Sequence, residues 1–143
     1  MGSDTTVGFS LHDVARMMRR DFDRRAREQG LTRARWQVLW YLARSEGIHQ
    51  AALAELLGVA PISLTRQLDR LEEEGLVERR ADPDDRRRYR LYLTDQSAPA
   101  LRNLRRLAAQ TRQRALAGLS EEDIGALQRV LNAMRENLCD RTR

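Results

Sequence analysis

Gly58-Val59-Ala60-Pro61 separates two short runs of helical apolar periodicity, one over about residues 50–57 and the other over about 61–74. Gly58 accepts the left-handed backbone of a tight turn. Pro61 suits the first turn of a helix, where its missing N–H would have lacked an intrahelical partner anyway. Two short helices at this interval make a helix-turn-helix. At 100° per residue, Leu64, Leu68 and Leu71 gather on one side of the second helix. Ile62, Arg66, Asp69 and Glu73 lie opposite, with Ser63, Thr65 and Arg70 on the flanks.

After Gly75 the period changes. Residues 76–80 and 89–94 are β-tolerant runs flanking the polar turn Ala81-Asp82-Pro83-Asp84-Asp85-Arg86, and they read as a β-hairpin. In the second run Tyr89, Leu91 and Leu93 share one face while Arg88, Arg90 and Tyr92 share the other, as a half-buried strand requires.

Longer helices flank this centre. Phe9, Leu11, Val14, Met17, Met18 and Phe22 recur at helical spacing from Phe9 to about Arg27, and Gly30 can close that helix. Thr32 can cap a second helix carrying Trp36, Val38, Leu39, Tyr41 and Leu42 and ending near Gly47. Downstream, helices are expected over about 97–117, with Ser97 as the cap ahead of Pro99, and over about 121–138, capped by Ser120. In the last, Ile124, Leu127, Leu131, Met134 and Leu138 step by three and four, the narrow seam of a helix packed on a helix. Apolar seams at both chain ends point to a dimer interface; the alternative is that these helices only cover their own domain.

The expected fold class is therefore mainly α: a winged helix-turn-helix with a small β-hairpin wing and N- and C-terminal dimerisation helices. A single domain spans 1–143, with 9–29 and 97–139 as dimerisation helices and 32–94 as the DNA-binding lobe.

The charge balance fits a polyanionic partner. The 26 basic residues against 21 acidic ones leave a formal net charge of +5, which attracts nucleic acid. Every basic residue is Arg, a bias that reads as codon usage more than as guanidinium chemistry. An α-helix fits the major groove, where Arg pairs bidentately with guanine and an apolar group meets a thymine methyl. Arg66 is the first candidate for base reading, with Pro61, Ile62, Ser63, Thr65 and Arg70 around it. Glu72, Glu73 and Glu74 would repel phosphate, so the N-terminal half of the helix enters the groove. At the hairpin, Arg86, Arg87 and Arg88 can enter the narrow minor groove or meet phosphates, with Asp84 and Asp85 opposing that attraction. The competing reading is an amphipathic core helix with a solvated charged face, beside a charge run paired within itself. A winged helix docking an acidic protein partner is the second functional class.

Other classes find no support. The chain shows no nucleophile elbow, phosphate-binding glycine loop or convincing Ser/His/Asp set, so no enzyme activity and no cofactor are expected. Cys139 is the single cysteine, and His12 and His49 lie far apart, so neither an intramolecular disulfide nor a metal site is expected. No apolar run approaches the roughly 18–20 residues of a membrane span, and residues 1–10 lack a signal-peptide core, so the expected location is the cytoplasm. Met1-Gly2 with Thr6 matches the loose myristoylation pattern, but Met-Gly-Ser is equally a common expression-tag remnant, and lipidation is not expected.

Two stretches carry a family resemblance over nearly the whole chain. One is Leu53-Ala54-Glu55-Leu56-Leu57-Gly58-Val59 leading into Ser63-Leu64-Thr65-Arg66-Gln67-Leu68-Asp69-Arg70-Leu71-Glu72-Glu73-Glu74-Gly75-Leu76-Val77. The other is Asp82-Pro83-Asp84-Asp85-Arg86-Arg87, followed by Leu93-Thr94. Together they resemble the MarR/SlyA family of winged helix-turn-helix transcriptional regulators. The resemblance implies a sequence-specific regulator of transcription, a ligand-responsive repressor that binds a pseudo-palindromic double-stranded operator as a homodimer. It implies that Asp85 and Arg87 hold the wing tip in shape and contact DNA. It further implies a small-molecule effector cleft, which by position His12, Arg16, Trp36 and Trp40 would line, with Met17 and Tyr41 nearby; aromatics on these helices also serve simply as core. One departure is the absence of the glycine that family members commonly carry a few residues after the Leu-Thr pair.

Overall fold

Leucines at helical and strand spacing supply most of the core. In the computed structural model, which describes residues 4–139, Leu39, Leu42, Leu53, Leu68, Leu71, Leu91 and Leu104 are fully buried in one cluster with Val38, Val77 and Ala26. The elements that deliver them are α1 (Asp4–Glu28), α2 (Arg33–Arg44), α3 (Gln50–Leu57), α4 (Pro61–Glu73), β1 (Val77–Ala81), β2 (Tyr89–Leu93), α5 (Ala98–Ala115) and α6 (Glu121–Leu138). The two strands pair antiparallel, with Val77 opposite Leu93 and Ala81 opposite Tyr89. The result is the expected mainly helical winged helix-turn-helix.

Local signals act where the sequence places them. Thr32 Oγ1 accepts the Arg35 N–H at 3.3 Å, and Ser120 Oγ accepts the Asp123 N–H at 3.1 Å, so each hydroxyl satisfies a donor that the helix start leaves unpaired. Gly58 ends α3 at φ +66°, and Pro61 occupies the first turn of α4.

Four details differ from the sequence reading, each for a physical reason. Helix α1 starts at Asp4, ahead of Phe9, because nothing in residues 4–8 breaks it and Gly8 is absorbed into the helix. Helix α2 ends at Arg44, short of Gly47, because the Gly47 N–H donates to Leu91 O at 2.8 Å and the segment leading to α3 lies along β2. Ser97 precedes α5 but does not cap it: its hydroxyl donates back to Thr94 O at 2.7 Å, within a 3-10 turn over Asp95–Ser97. Tyr89 belongs to the core-facing side of β2 by alternation yet stays exposed, because it stands at the strand end nearest the hairpin tip.

The C-terminal end of α4 is fastened to the segment that leaves β2. Gly75 takes φ +76°, its carbonyl accepts the Thr94 hydroxyl, and the Thr94 N–H donates to Leu76 O at 3.1 Å. A Cβ at Gly75 would meet only the movable end of the Gln96 side chain, so it is the left-handed backbone that favours glycine there.

Helix α6 is the exception to burial. None of its residues is buried, and Leu127, Val130 and Leu138 are exposed. The N-terminal half of α1 behaves likewise, leaving Phe9, Val14 and Met17 exposed.

Candidate nucleic-acid interface

Helix α4 divides as its periodicity requires. Leu64, Leu68 and Leu71 are buried, while Pro61, Ile62, Ser63, Arg66 and Arg70 are exposed. Thr65 is half-buried; its hydroxyl donates to Pro61 O and accepts Gln50 Nε2–H, both at 3.0 Å, which ties α4 to the first turn of α3. Among the described residues the Arg66 guanidinium has no hydrogen-bond or ion-pair partner.

The acidic residues of α4 are used differently from the sequence reading. Asp69, expected on the outward face, pairs with Arg79 of β1, and Glu72 Oε2 accepts the Arg79 N–H at 3.0 Å. Glu74 forms a two-point pair with Arg35 of α2, one contact at 2.7 Å, and that guanidinium holds its carboxyl below the usual range. Two of the three glutamates are thus neutralised inside the chain, which leaves Glu73 as the unpaired acid of that turn among the described residues. A bidentate arginine pair matches carboxylate geometry well, so these contacts also orient α4 against β1 and α2.

The hairpin tip is organised by its aspartates. The Asp82 N–H donates to Arg88 O at 2.9 Å, and the Arg88 N–H donates to Asp85 O at 3.0 Å. Asp85 Oδ1 accepts the Arg87 N–H at 3.0 Å, and the Arg87 guanidinium lies 3.5 Å from it. The Arg87 side chain is nonetheless 93 % exposed, so it can reach outward from a fixed base. Arg86 and Arg88 are exposed or half-exposed beside it. Between the tip and the helices lies an open groove of about 410 Å³, lined by Gln50, Thr65, Arg79, Arg87, Arg88 and Tyr89 among others. Of the residues singled out on α4 and on the hairpin, Pro61, Thr65, Arg87 and Arg88 line this groove, and Ile62, Ser63, Arg66, Arg70, Asp85 and Arg86 do not.

At the root of the hairpin, Asp82 is buried. Its carboxylate meets His49 Nε2 at 2.5 Å, the Asp84 N–H at 2.9 Å and Arg90 Nε at 3.2 Å. His49, the Asp84 amide and Arg90 together hold this carboxyl far below the usual carboxylate range, outweighing burial. Sequence reasoning passed over this cluster, over the Gln50–Thr65 bond and over Arg79. One signal was present: His49 occupies the N-cap of α3, a position that favours Ser, Thr, Asp or Asn, and its side chain caps nothing.

A second cavity, of about 210 Å³, opens between α1, α2 and α5, lined by Met18, Phe22, Trp36, Trp40, Ala108 and Thr111 among others. Trp36 is held by its Nε1–H, which donates to Asp23 Oδ1 at 2.8 Å, and by an edge-on contact with Phe22 at 4.6 Å. The two tryptophans are brought together here. His12 and Arg16 are not; both are exposed farther up α1, with Arg16 3.7 Å from Asp13. Met17 faces a neighbouring cleft beside Asp21 and Arg114, and Tyr41 packs half-buried on the core. Among the described residues no group of three or more His, Cys, Asp or Glu side chains gathers to hold a metal, and no helix is long and apolar enough to cross a membrane.

Comparison with known proteins agrees with this architecture. A family model described as the MarR family matches residues 29–88. Among solved structures, the transcriptional regulator PA3341 is 37 % identical, with 92 % of this chain and 96 % of that one covered and a TM-score of 0.74. The transcriptional regulator SlyA is 30 % identical over 92 % of each chain, with a TM-score of 0.71. Wild-type MarR from E. coli, in its apo form, is 27 % identical over 90 % of this chain and 95 % of its own, with a TM-score of 0.78. With a helix-turn-helix, an arginine-tipped wing and relatives that are transcriptional regulators and not enzymes, the chain belongs to the MarR family of DNA-binding transcriptional regulators.

Proposed function

We propose that this regulator is a ligand-responsive repressor that binds a pseudo-palindromic operator as a homodimer. The observation that carries the reading is the exposed Arg66, without a partner among the described residues, at the middle of a helix whose leucines are buried and whose nearby Asp69 is paired with Arg79. In this reading α4 enters the major groove, with Arg66 on a guanine edge and Pro61, Ile62, Ser63, Thr65 and Arg70 around it. The wing lies on the backbone, with Asp85 shaping the tip and Arg86, Arg87 and Arg88 meeting phosphates or the minor groove.

Residues 9–29 and 97–139 serve as dimerisation helices and 32–94 as the DNA-binding lobe. The support is the open apolar face of α1 and α6, where Phe9 is 71 % and Leu138 is 80 % exposed in the single chain. Two-fold pairing would set the reading helices about 34 Å apart, on successive turns of the duplex. The cavity at Trp36 and Trp40 is the effector cleft, without His12 and Arg16, which lie farther up α1. A ligand there favours a half-site spacing that no longer fits the operator, a shift of population between two dimer geometries.

Salt titrations on duplexes selected from a random library test the assignment. Arg66→Ala is expected to lose base preference, by about 1–3 kcal/mol of discrimination at its position. Arg87→Ala is expected to weaken binding to all sequences and to flatten the salt slope by about one unit. Parent-like binding by both variants would overturn the reading.

A further inference from the structure

His49 sits where three parts of the lobe meet. Its backbone opens α3 and bridges to Arg90 of β2, while the next residue, Gln50, bonds Thr65 on α4. Its ring turns away from the helix end it would be expected to cap and meets Asp82 at 2.5 Å. Asp82 is the first residue beyond β1, and its own N–H closes the turn onto Arg88. Arg90 shares the same carboxylate oxygen and reaches Gly47 O at 3.3 Å, so the segment before α3 is drawn onto the hairpin from both sides. Beyond this point the tip is held by bonds within itself, between Asp82, Asp84, Asp85, Arg87 and Arg88. The tip thus has a rigid shape of its own, and the Asp82 cluster determines where that shape points.

We propose that His49 is a positioning residue for the wing: by bonding Asp82 it sets the separation between the arginine-bearing tip and the reading helix α4. The inference rests on the reading of the wing as a contact to the DNA backbone. Phosphate spacing along a groove is fixed by the duplex, so a tip free to swing loses order before it can bind, and the affinity lost is of the sequence-independent kind. With the proton on Nε2 the ring donates to the carboxylate, and a glutamine amide brings an N–H donor at similar reach.

The full chain is titrated with random-sequence duplex DNA at several salt concentrations, and folding of each variant is checked by circular dichroism. His49→Ala is expected to bind about fivefold more weakly with a shallower salt slope, and His49→Gln to recover most of the parent affinity. In a double-mutant cycle, His49→Ala is expected to add little to Asp82→Ala, because the carboxylate that the ring bonds is already gone, whereas Asp82→Ala also loses the bonds from Arg90 and the Asp84 N–H. Arg87→Ala separates the two layers of the argument. If it leaves the slope unchanged, the wing is not a backbone contact and the positioning role falls with it. If it flattens the slope while His49→Ala binds like the parent, the positioning role alone is wrong. Failure of His49→Gln to recover, or full additivity with Asp82→Ala, would also overturn it by showing that the ring acts without Asp82.

Discussion

Residues 32–94 bury their own leucines, whereas the helices at the two chain ends leave theirs open. Leu39, Leu53, Leu68 and Leu91 are fully enclosed within the lobe; Phe9, Val14, Val130 and Leu138 lie in water in the single chain. One core joins the lobe to Phe22 and Ala26 of α1 and to Leu101, Leu104 and Leu107 of α5, while the N-terminal half of α1 and the whole of α6 carry apolar area left open in the single chain. The difference separates two kinds of residue that look alike by periodicity. A leucine of α4 supports the folded chain, and a leucine of α6 would support the proposed dimer.

Three variants probe that division. Leu68→Ala, in the enclosed half, should cost about 2–5 kcal/mol in chemical denaturation, because it removes a fully buried side chain and leaves a cavity behind. A smaller loss would mean that the lobe core is loosely packed. Leu127→Glu with Val130→Glu, in the open half, should leave the lobe folded by circular dichroism while weakening self-association at least about tenfold in sedimentation velocity. Unchanged association would remove α6 from the interface.

The third concerns the joint between α1 and α5 within the end helices, where Asp21 of α1 bonds Arg25, Arg24 and, on α5, Thr111 and Arg114. Arg25 first, then Thr111, Arg24 and Arg114, hold its carboxyl well below the usual carboxylate range despite the cost of burial. A depressed folded value means that the charge stabilises the fold above the ordinary aspartate pKa, and that this stabilisation disappears as pH falls through that value toward the lowered one. Asp21→Asn should be less stable than the parent by about 1–3 kcal/mol at neutral pH, with the gap closing below about pH 4. A gap constant with pH would show that the hydrogen bonds, and not the charge, do the holding.

Legibility in the sequence tracks the range of the interactions involved. Gly58, Pro61, Thr32 and Ser120 act within one turn of the chain, and each does as its position implied. The buried side of α4 was legible because periodicity records burial. Partners distant along the chain leave no such record. Arg79 neutralising Asp69, Arg35 neutralising Glu74 and His49 reaching Asp82 depend on how the hairpin and α2 pack on the helices. Ser97 departs from this pattern: its hydroxyl is claimed by Thr94 O, only three residues back, in place of capping α5. Of the effector candidates, Trp36 and Trp40 meet at one cavity because they are one helical turn apart, while His12 and Arg16 lie too far up α1 to join them in a single chain.

The knot at Gly75 has a mechanical consequence. Its carbonyl is held by Thr94, and its left-handed turn strains any residue other than glycine. The far end of the helix carrying Arg66 is thereby clamped to the foot of α5. A tilt of α5 must drag α4 along, so the reading helix moves as the short arm of a lever whose long arm is α5.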